Sequence, residues 1–257
     1  MEEYKIITVT EENLANEHIC CAIGNDARNK KRSDTKKAWM KDCLKEGLQF
    51  KKINIRGKAF IEYVPAEFAW KPVFAPGYNL IHCLWISGKY KKQGLSKELM
   101  ELCFEDSKDK NGICVVTANK TKPFLTDKKF YSKFGFKTCD TAPPYFELLV
   151  KKNKEDAPDP VFNESARGLS VDNKKGFTFI YTNQCTFPED VIREHVDVLA
   201  EKKIPYTVKQ LKTLKEAQNS PSAFTTFAYF IDGEFQSHVM PGYKEFGRLV
   251  EEYAKAF

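Results

Sequence analysis

Long apolar runs are missing from this chain of 257 residues: none approaches the roughly 20 residues that a bilayer-spanning helix needs. Its opening, MEEYKII, also lacks the charged-then-apolar order of a secretory signal. A soluble, cytoplasmic protein with no membrane partner is therefore expected. Eight cysteines and four histidines are present, yet no C-x-x-C pair and no His/Cys cluster has zinc spacing. That excludes a disulfide framework and gives no metal site, so the cysteines read as reduced thiols, most of them in the core. The many lysines are scattered without an aromatic nucleic-acid signature, which argues against nucleic acid as a partner. What the chain does have is 42% hydrophobic and 13% aromatic residues, enough for a core in each half. The net charge of +6 is uneven: residues 1–176 hold 32 Lys/Arg against 24 Asp/Glu, and residues 177–257 hold 9 against 11. A basic first part suits a ligand carrying several negative charges.

Residues 84–100, LWISGKYKKQGLSKELM, take an apolar strand through a basic, glycine-bearing turn into an amphipathic helix. Main-chain N–H groups from Lys91 to Ser96 would lack intrahelical partners there, and the helix dipole adds partial positive charge. Such a turn binds phosphate. Gly94 lets a bulky anion approach the backbone. Lys89, Lys91 and Lys92 add charge, while Leu95, Leu99, Met100, Cys103 and Phe104 give the helix a buried stripe.

The stretch resembles the coenzyme A loop of the GCN5-related N-acetyltransferases (GNAT), in which an apolar-x-Val strand leads to Arg/Gln-x-x-Gly-x-Gly/Ala. Leu84, Trp85 and Ile86 stand for the strand, and Lys91, Lys92, Gln93, Gly94, Leu95 and Ser96 for the loop. Lys91 replaces the family's Arg or Gln, and Ser96 its last small residue. Downstream, FYSKFGF at 130–136 fits the family's Tyr-bearing block, with a β-branched strand at 113–117 between. The family's Asn, seven residues before its Tyr, is Phe124 here, so its contacts do not carry over.

Pattern and turn signals give strands at 5–9, 50–55, 58–64 with a turn at Arg56 and Gly57, 78–87, 113–117 and 145–151. Helices are expected at 11–24, 34–47 with Ser33 or Asp34 as cap, 95–108 and 127–134. Residues 152–175 are polar and turn-forming. Beyond them come a strand at 177–182, a helix at 188–202, strands at 206–211 and 224–231, a tight turn at Asp232 and Gly233, a strand at 234–239 and a helix at 243–256. The expectation is an α/β (α+β) chain: a GNAT mixed sheet flanked by helices over 1–152, a linker at 153–176, and a smaller thioredoxin-like α/β domain at 177–257. The combination resembles the YoaP-type acetyltransferases.

The resemblance implies acetyl-CoA as co-substrate, no metal, and direct attack by the primary amine of a small molecule or peptide. Residues 84–86 would pair with the pantetheine arm, the N–H of Trp85 or Ile86 polarising the thioester carbonyl. Tyr131 stands at the family's general acid; its other reading is a buried Tyr packed on Phe134 and Phe136. His82, placed by alternation on the face of Leu84 and Ile86, is either the base or a core His, and Glu62 is a second candidate base. Cys185, where thioredoxins keep their nucleophile, has Pro188 in place of a resolving Cys; it is either a reactive thiol or a neighbour of the helix cap. The rival readings are a thiol-based redox or binding protein using Cys185, its first domain only binding acyl-CoA, and a binding module without catalysis. Residues 65–70 either wall a pocket or belong to the core. Acceptor and oligomeric state stay open.

Overall fold

The β-branched and aromatic stretches of the first part assemble into one sheet of seven strands. The computed structural model describes residues 4–19, 22, 24–55 and 57–255, with Lys89 in its backbone alone. Arg56 of the expected turn and Ala256 of the expected last helix lie outside the described residues. The strands are β1 (Ile6–Val9), β2 (Gln49–Ile53), β3 (Ala59–Pro65), β5 (Tyr78–Ile86), β6 (Gly112–Ala118), β7 (Lys137–Ala142) and β8 (Phe146–Lys152), ordered β1-β2-β3-β5-β6-β8-β7. Only β5 and β6 run parallel; the other pairs are antiparallel. A separate ribbon joins β4 (Val73–Phe74) to β9 (Val161–Phe162).

Three helices serve this sheet: α1 (Ala27–Lys45), α2 (Leu95–Asp106) and the short α3 (Lys128–Ser132). Among the described residues of 11–24 no helix forms: 11–16 make turns and 17 a bend, while Cys20, Cys21 and Ile23 lie outside the described residues. Asn13 accounts for it: its side chain accepts from Thr10 N–H (2.9 Å) and donates to Thr8 C=O (2.9 Å), offering the backbone a turn instead. The next helix starts at Ala27 rather than at 34, capped by Asp26, whose carboxylate accepts from Asn29 N–H at 3.0 Å. β7 (KTCDTA) escapes a pattern reading because it is a polar edge strand, in which only Ala142 is buried.

Both faces of the sheet are apolar. On one, Ile61, Ile81, Leu84 and Val115 pack on Leu95, Leu99 and Met100 of α2 and on Tyr131 of α3. On the other, Phe50, Phe60 and Leu80 pack under Trp39 and Met40 of α1. This second layer runs without a break into Ile180 and Phe230 of a second sheet and Phe224 of the segment leading into it. Each such side chain stabilises by about 1.5–3 kcal/mol when fully buried.

The second sheet comprises β10 (Phe177–Tyr181), β11 (Tyr206–Gln210), β12 (Phe227–Ile231) and β13 (Glu234–Ser237), ordered β11-β10-β12-β13. β10 is parallel to β11 and antiparallel to β12. Helix α4 (Pro188–Glu201) links β10 to β11, the one-turn α5 (Leu214–Gln218) follows, and α6 (Tyr243–Lys255) closes the chain. Phe177, Phe179, Leu199, Phe246 and Val250 fill the layer beneath α4 and α6. The sheet is thus held between its own helices and the first sheet's core.

Polar clasps fix that arrangement. Asp190 of α4, 4% exposed, accepts from Arg28 (3.0 Å) and Arg32 (2.6 Å) of α1. His238 accepts from Tyr145 O–H at Nδ1 (2.6 Å) and donates from Nε2 to Pro123 C=O (3.0 Å). Thr225 O–H donates to Trp70 C=O at 2.5 Å. Residues 153–176 are tied down as well: β9 pairs with β4, Ala166 is fully buried and Arg167 reaches Asp140 at 2.7 Å.

Candidate active site

β5 and β6 pair only from Tyr78↔Gly112 to Ile81↔Val115. Beyond that point β6 keeps β8 as its partner, β5 keeps β3, and the parallel pair parts. Main-chain groups of alternate residues point to the same edge of a strand. Thr126 O–H donates to Leu84 C=O (3.1 Å) from the open side, and Ser87 N–H donates to Lys58 C=O (2.9 Å) on the β3 side. Leu84 and Ile86 therefore present their main chain to the opening, whereas the N–H of Trp85 is turned towards β3. Of the two carbonyl-polarising donors expected from sequence, the geometry favours Ile86.

Between the pairs Glu62↔Cys83 and Tyr63↔Ile81 the register shifts by one residue, leaving His82 as a bulge. One extra residue reverses the alternation, so His82 does not share the face of Leu84 and Ile86 as expected. Those two join the α2 layer, while His82 lies against Trp39, with ring centroids 6.1 Å apart, and bonds the backbone of Trp70.

At the parted end stands the basic turn. Gly94 has φ +83° and caps α2, whose hydrogen bonding begins where Lys97 N–H donates to Gly94 C=O (2.8 Å). The N–H groups of Gly94, Leu95 and Ser96 thus precede the helical ladder, at the positive end of the dipole. A side chain at Gly94 would meet nothing within 4 Å, so glycine is required there by backbone conformation rather than by crowding. Lys92 also has positive φ (63°), and Tyr4 O–H donates to the Gln93 side chain at 3.1 Å. A cavity of about 290 Å³ opens here, bounded by Leu84, Trp85 and Ile86 of β5, Lys91, Lys92, Gly94, Leu95 and Ser96 of the turn, and Thr126 and Phe130. The sequence-derived binding residues converge on it, with Gln93 beside it; the side chain of Lys89 lies outside the described residues.

Tyr131 does not line this cavity. It is 1% exposed, packs between Phe130 and Phe136, and bonds the side chain of Thr126, which does line it. Burial pushes its phenol well above the ordinary value.

A second cavity, of about 280 Å³, opens on the far side of Trp85, between the two sheets. Its walls are aromatic: Phe60, Trp85, Phe124, Phe187 and Phe224, with Met240. Phe124, at the position of the missing Asn, is held at φ +64° and is 43% exposed. His82, Cys83 and Cys185 reach the same space. At its floor Glu62, 0% exposed, meets Lys36 Nζ at 2.5 Å, Gln184 Nε2 at 3.2 Å and His82 Nδ1 at 3.3 Å. Burial would raise that carboxyl, but Lys36 and His82 outweigh it and hold it down to about 2. Burial lowers His82 against the pull of Glu62. Trp70 N–H donates to His82 Nε2 at 3.2 Å, which places the ring proton on Nδ1, towards Glu62.

Lys36, Gln184, Thr186 and Lys71 have no signal in the sequence, apart from Gln184 and Thr186 flanking Cys185. Lys71 is 2% exposed, its ammonium pushed down to about 8 by burial and lying 4.7 Å from the Phe224 ring. Among the described residues no group of three or more His, Cys, Asp or Glu side chains could hold a metal ion, and no helix is long and apolar enough to cross a membrane.

A mixed sheet parted beside a glycine turn defines a coenzyme-dependent acyltransferase class, and the comparisons with known proteins agree. The acetyltransferase (GNAT) domain family matches residues 75–147, and the YoaP-like family matches residues 205–248. An uncharacterized N-acetyltransferase of Bacillus subtilis (strain 168), YoaP, is 37% identical over 250 residues, covering 96% of this chain and 99% of the relative. The chain belongs to the GNAT N-acetyltransferases, in the group that carries a YoaP-like region. Among solved structures, the PaiA N-acetyltransferase of Thermoplasma acidophilum in complex with coenzyme A superposes with TM-score 0.40 at 15% identity, over 58% of this chain and 99% of that one. YhbS of Escherichia coli in complex with CoA gives 0.38 at 15% identity, over 63% and 90%.

Proposed function

We propose that the chain transfers an acetyl group from acetyl-CoA to the primary amine of a small molecule or peptide, by direct attack and without a covalent enzyme intermediate. The single observation that carries this reading is the parting of β5 from β6 beside the amide-bearing turn at Gly94. The turn fits a pyrophosphate: three main-chain N–H groups precede the helical ladder, Lys91 and Lys92 flank them, and no atom crowds Gly94. When bound, acetyl-CoA supplies a thioester whose carbonyl carbon accepts the amine nitrogen as the C–S bond breaks.

The chain's own groups orient and exchange protons. Leu84 and Ile86 hold the pantetheine arm as an added strand would be held, and the Ile86 N–H is aimed where the carbonyl oxygen gains charge. The Thr126 hydroxyl passes its proton to the departing thiolate and takes that of Tyr131, whose phenol is reprotonated from solvent. His82 takes the proton from the amine once Trp70 N–H gives up Nε2, the ring's one basic lone pair, while Glu62 keeps Nδ1 protonated. The second cavity receives the acceptor. The chain divides into an acetyltransferase domain at 1–152, a connecting segment at 153–176 and a domain at 177–257, whose strand order and Cys185 at the start of α4 support a thioredoxin-like reading.

The relatives above are named as acetyltransferases, and the thiol reading of Cys185 gains no support from them. Free coenzyme A thiol measured across an amine panel, with wild type and Cys185→Ala, tests the proposal. Thiol release matched by acetylated amine in both proteins is expected. Release that vanishes with Cys185 while acetyl-CoA still binds would transfer the chemistry to the thiol.

A further inference from the structure

Besides His82 Nδ1, which faces Glu62 at 3.3 Å, two buried side-chain atoms of residues lining the cavity between the sheets have no hydrogen-bond partner among the described residues: Oε1 of Gln184 and Oγ1 of Thr186. Both residues belong to the second sheet's β10–α4 connection and are nearly inaccessible, at 4% and 5% exposure. Leaving such atoms unsatisfied is costly, so a bound group that bonds them gains correspondingly. The orientation of Gln184 is set by chemistry, since its NH2 must face the Glu62 carboxylate at 3.2 Å. Its remaining atom is then an acceptor, suited to an N–H of the ligand. The rest of the wall is a set of aromatic faces. The charges present do not invite a polycation: Lys36 is matched by Glu62, which is itself fully buried, and Lys58 lines the cavity with no ion-pair partner among the described residues.

We propose that the C-terminal part of the chain supplies Gln184 and Thr186, from the connection between β10 and α4, as the acceptor-reading residues of this enzyme, and that the acceptor is a primary amine on an aromatic body with no second positive charge. This rests on the acetyltransferase reading above. The aromatic body stacks between Phe60, Phe187 and Phe224, an amine N–H bonds Gln184 Oε1, and Thr186 takes a second polar group. Lys58 repels polyamines and favours a carboxylate on the ligand.

The test uses full-length protein saturated with coenzyme A, titrated calorimetrically with phenethylamine, L-phenylalanine and spermidine, alongside acetyl-transfer kinetics with the same three amines. Binding of either aromatic amine at least tenfold tighter than spermidine is expected. Gln184→Leu and Thr186→Val should each raise the aromatic KM about fivefold or more and leave the KM for acetyl-CoA unchanged. Lys58→Glu should narrow the gap to spermidine. Spermidine bound as tightly as the aromatic amines, no heat with either aromatic amine, or Gln184→Leu and Thr186→Val variants indistinguishable from wild type overturns the inference. Failure of coenzyme A to saturate the protein would instead strike the acetyltransferase reading, a result separable from the others in the first titration.

Discussion

The cavities on the two sides of Trp85 have similar volumes and are built by opposite means. The coenzyme-side cavity is made mostly from residues 84–96 of one strand-turn-helix passage, with Thr126 and Phe130 closing it. The acceptor-side cavity is made from side chains of α1, β3, β5 and the connection after β10, assembled over a buried carboxylate. A main-chain site needs only local conformation, and it is stable as long as one glycine can take φ +83°. A site of buried charges is coupled to the packing of the whole molecule, and disturbing it is costly.

The largest effect is therefore expected on the acceptor side, and it falls on folding. Glu62→Gln leaves Lys36 buried without its carboxylate and should destabilise by about 3–5 kcal/mol in denaturant unfolding. A loss below about 1 kcal/mol would mean that the network is not held by charge.

Acid should act in two windows, first on the packing of the second sheet and then on the Glu62 network. His195 and His238 are buried at 1% and 0% exposure, and burial lowers each to about 4. The unfolded chain, titrating near 6.5, takes up these protons first, so stability is full above about pH 6.5 and falls towards pH 4, by roughly 3 kcal/mol for each His at most. Glu62, depressed to about 2, contributes stability above its unfolded value that is lost as pH falls from about 4.5 through 2. Unfolding free energies measured from pH 7 to 3 should show the first slope in wild type and lose part of it in His238→Gln. Only the lower slope should respond to Glu62→Gln.

On the coenzyme side the effects fall on turnover. Tyr131→Phe keeps the ring between Phe130 and Phe136 and removes only the hydroxyl. It should lower kcat about 100-fold with the KM for acetyl-CoA unchanged. An unchanged kcat across pH would leave Tyr131 as a packing residue.

The same contrast explains what was legible in the sequence. Leu84 to Ser96 could be read because chemistry and contiguity coincide there. The seven-stranded sheet was legible where strands are apolar and lost at β7, whose exposed polar residues carry no alternation. The helix expected at 11–24 failed on one Asn whose side chain closes a turn, a choice that periodicity cannot register. The bulge at His82 has no Gly or Pro to mark it, so alternation assigned that side chain to the wrong face. Glu62 was visible as a carboxyl on a strand, but its partners come from positions 36, 82 and 184, and only folding brings them together. Cys185 drew notice for its place before α4, while its neighbours Gln184 and Thr186, ordinary in composition, hold the unpartnered atoms.

Titration of acetyl-CoA into wild type and Gly94→Asp tests most directly whether main-chain donors ahead of α2 hold the coenzyme. Aspartate at positive φ, with its charge beside the expected pyrophosphate, should weaken binding by about 100-fold or more. The melting temperature should fall only by the modest cost of a non-glycine residue at φ +83°, since no atom lies within 4 Å of the new Cβ to add a clash. Equal affinity in the two folded proteins, or no binding by either, would contradict the account.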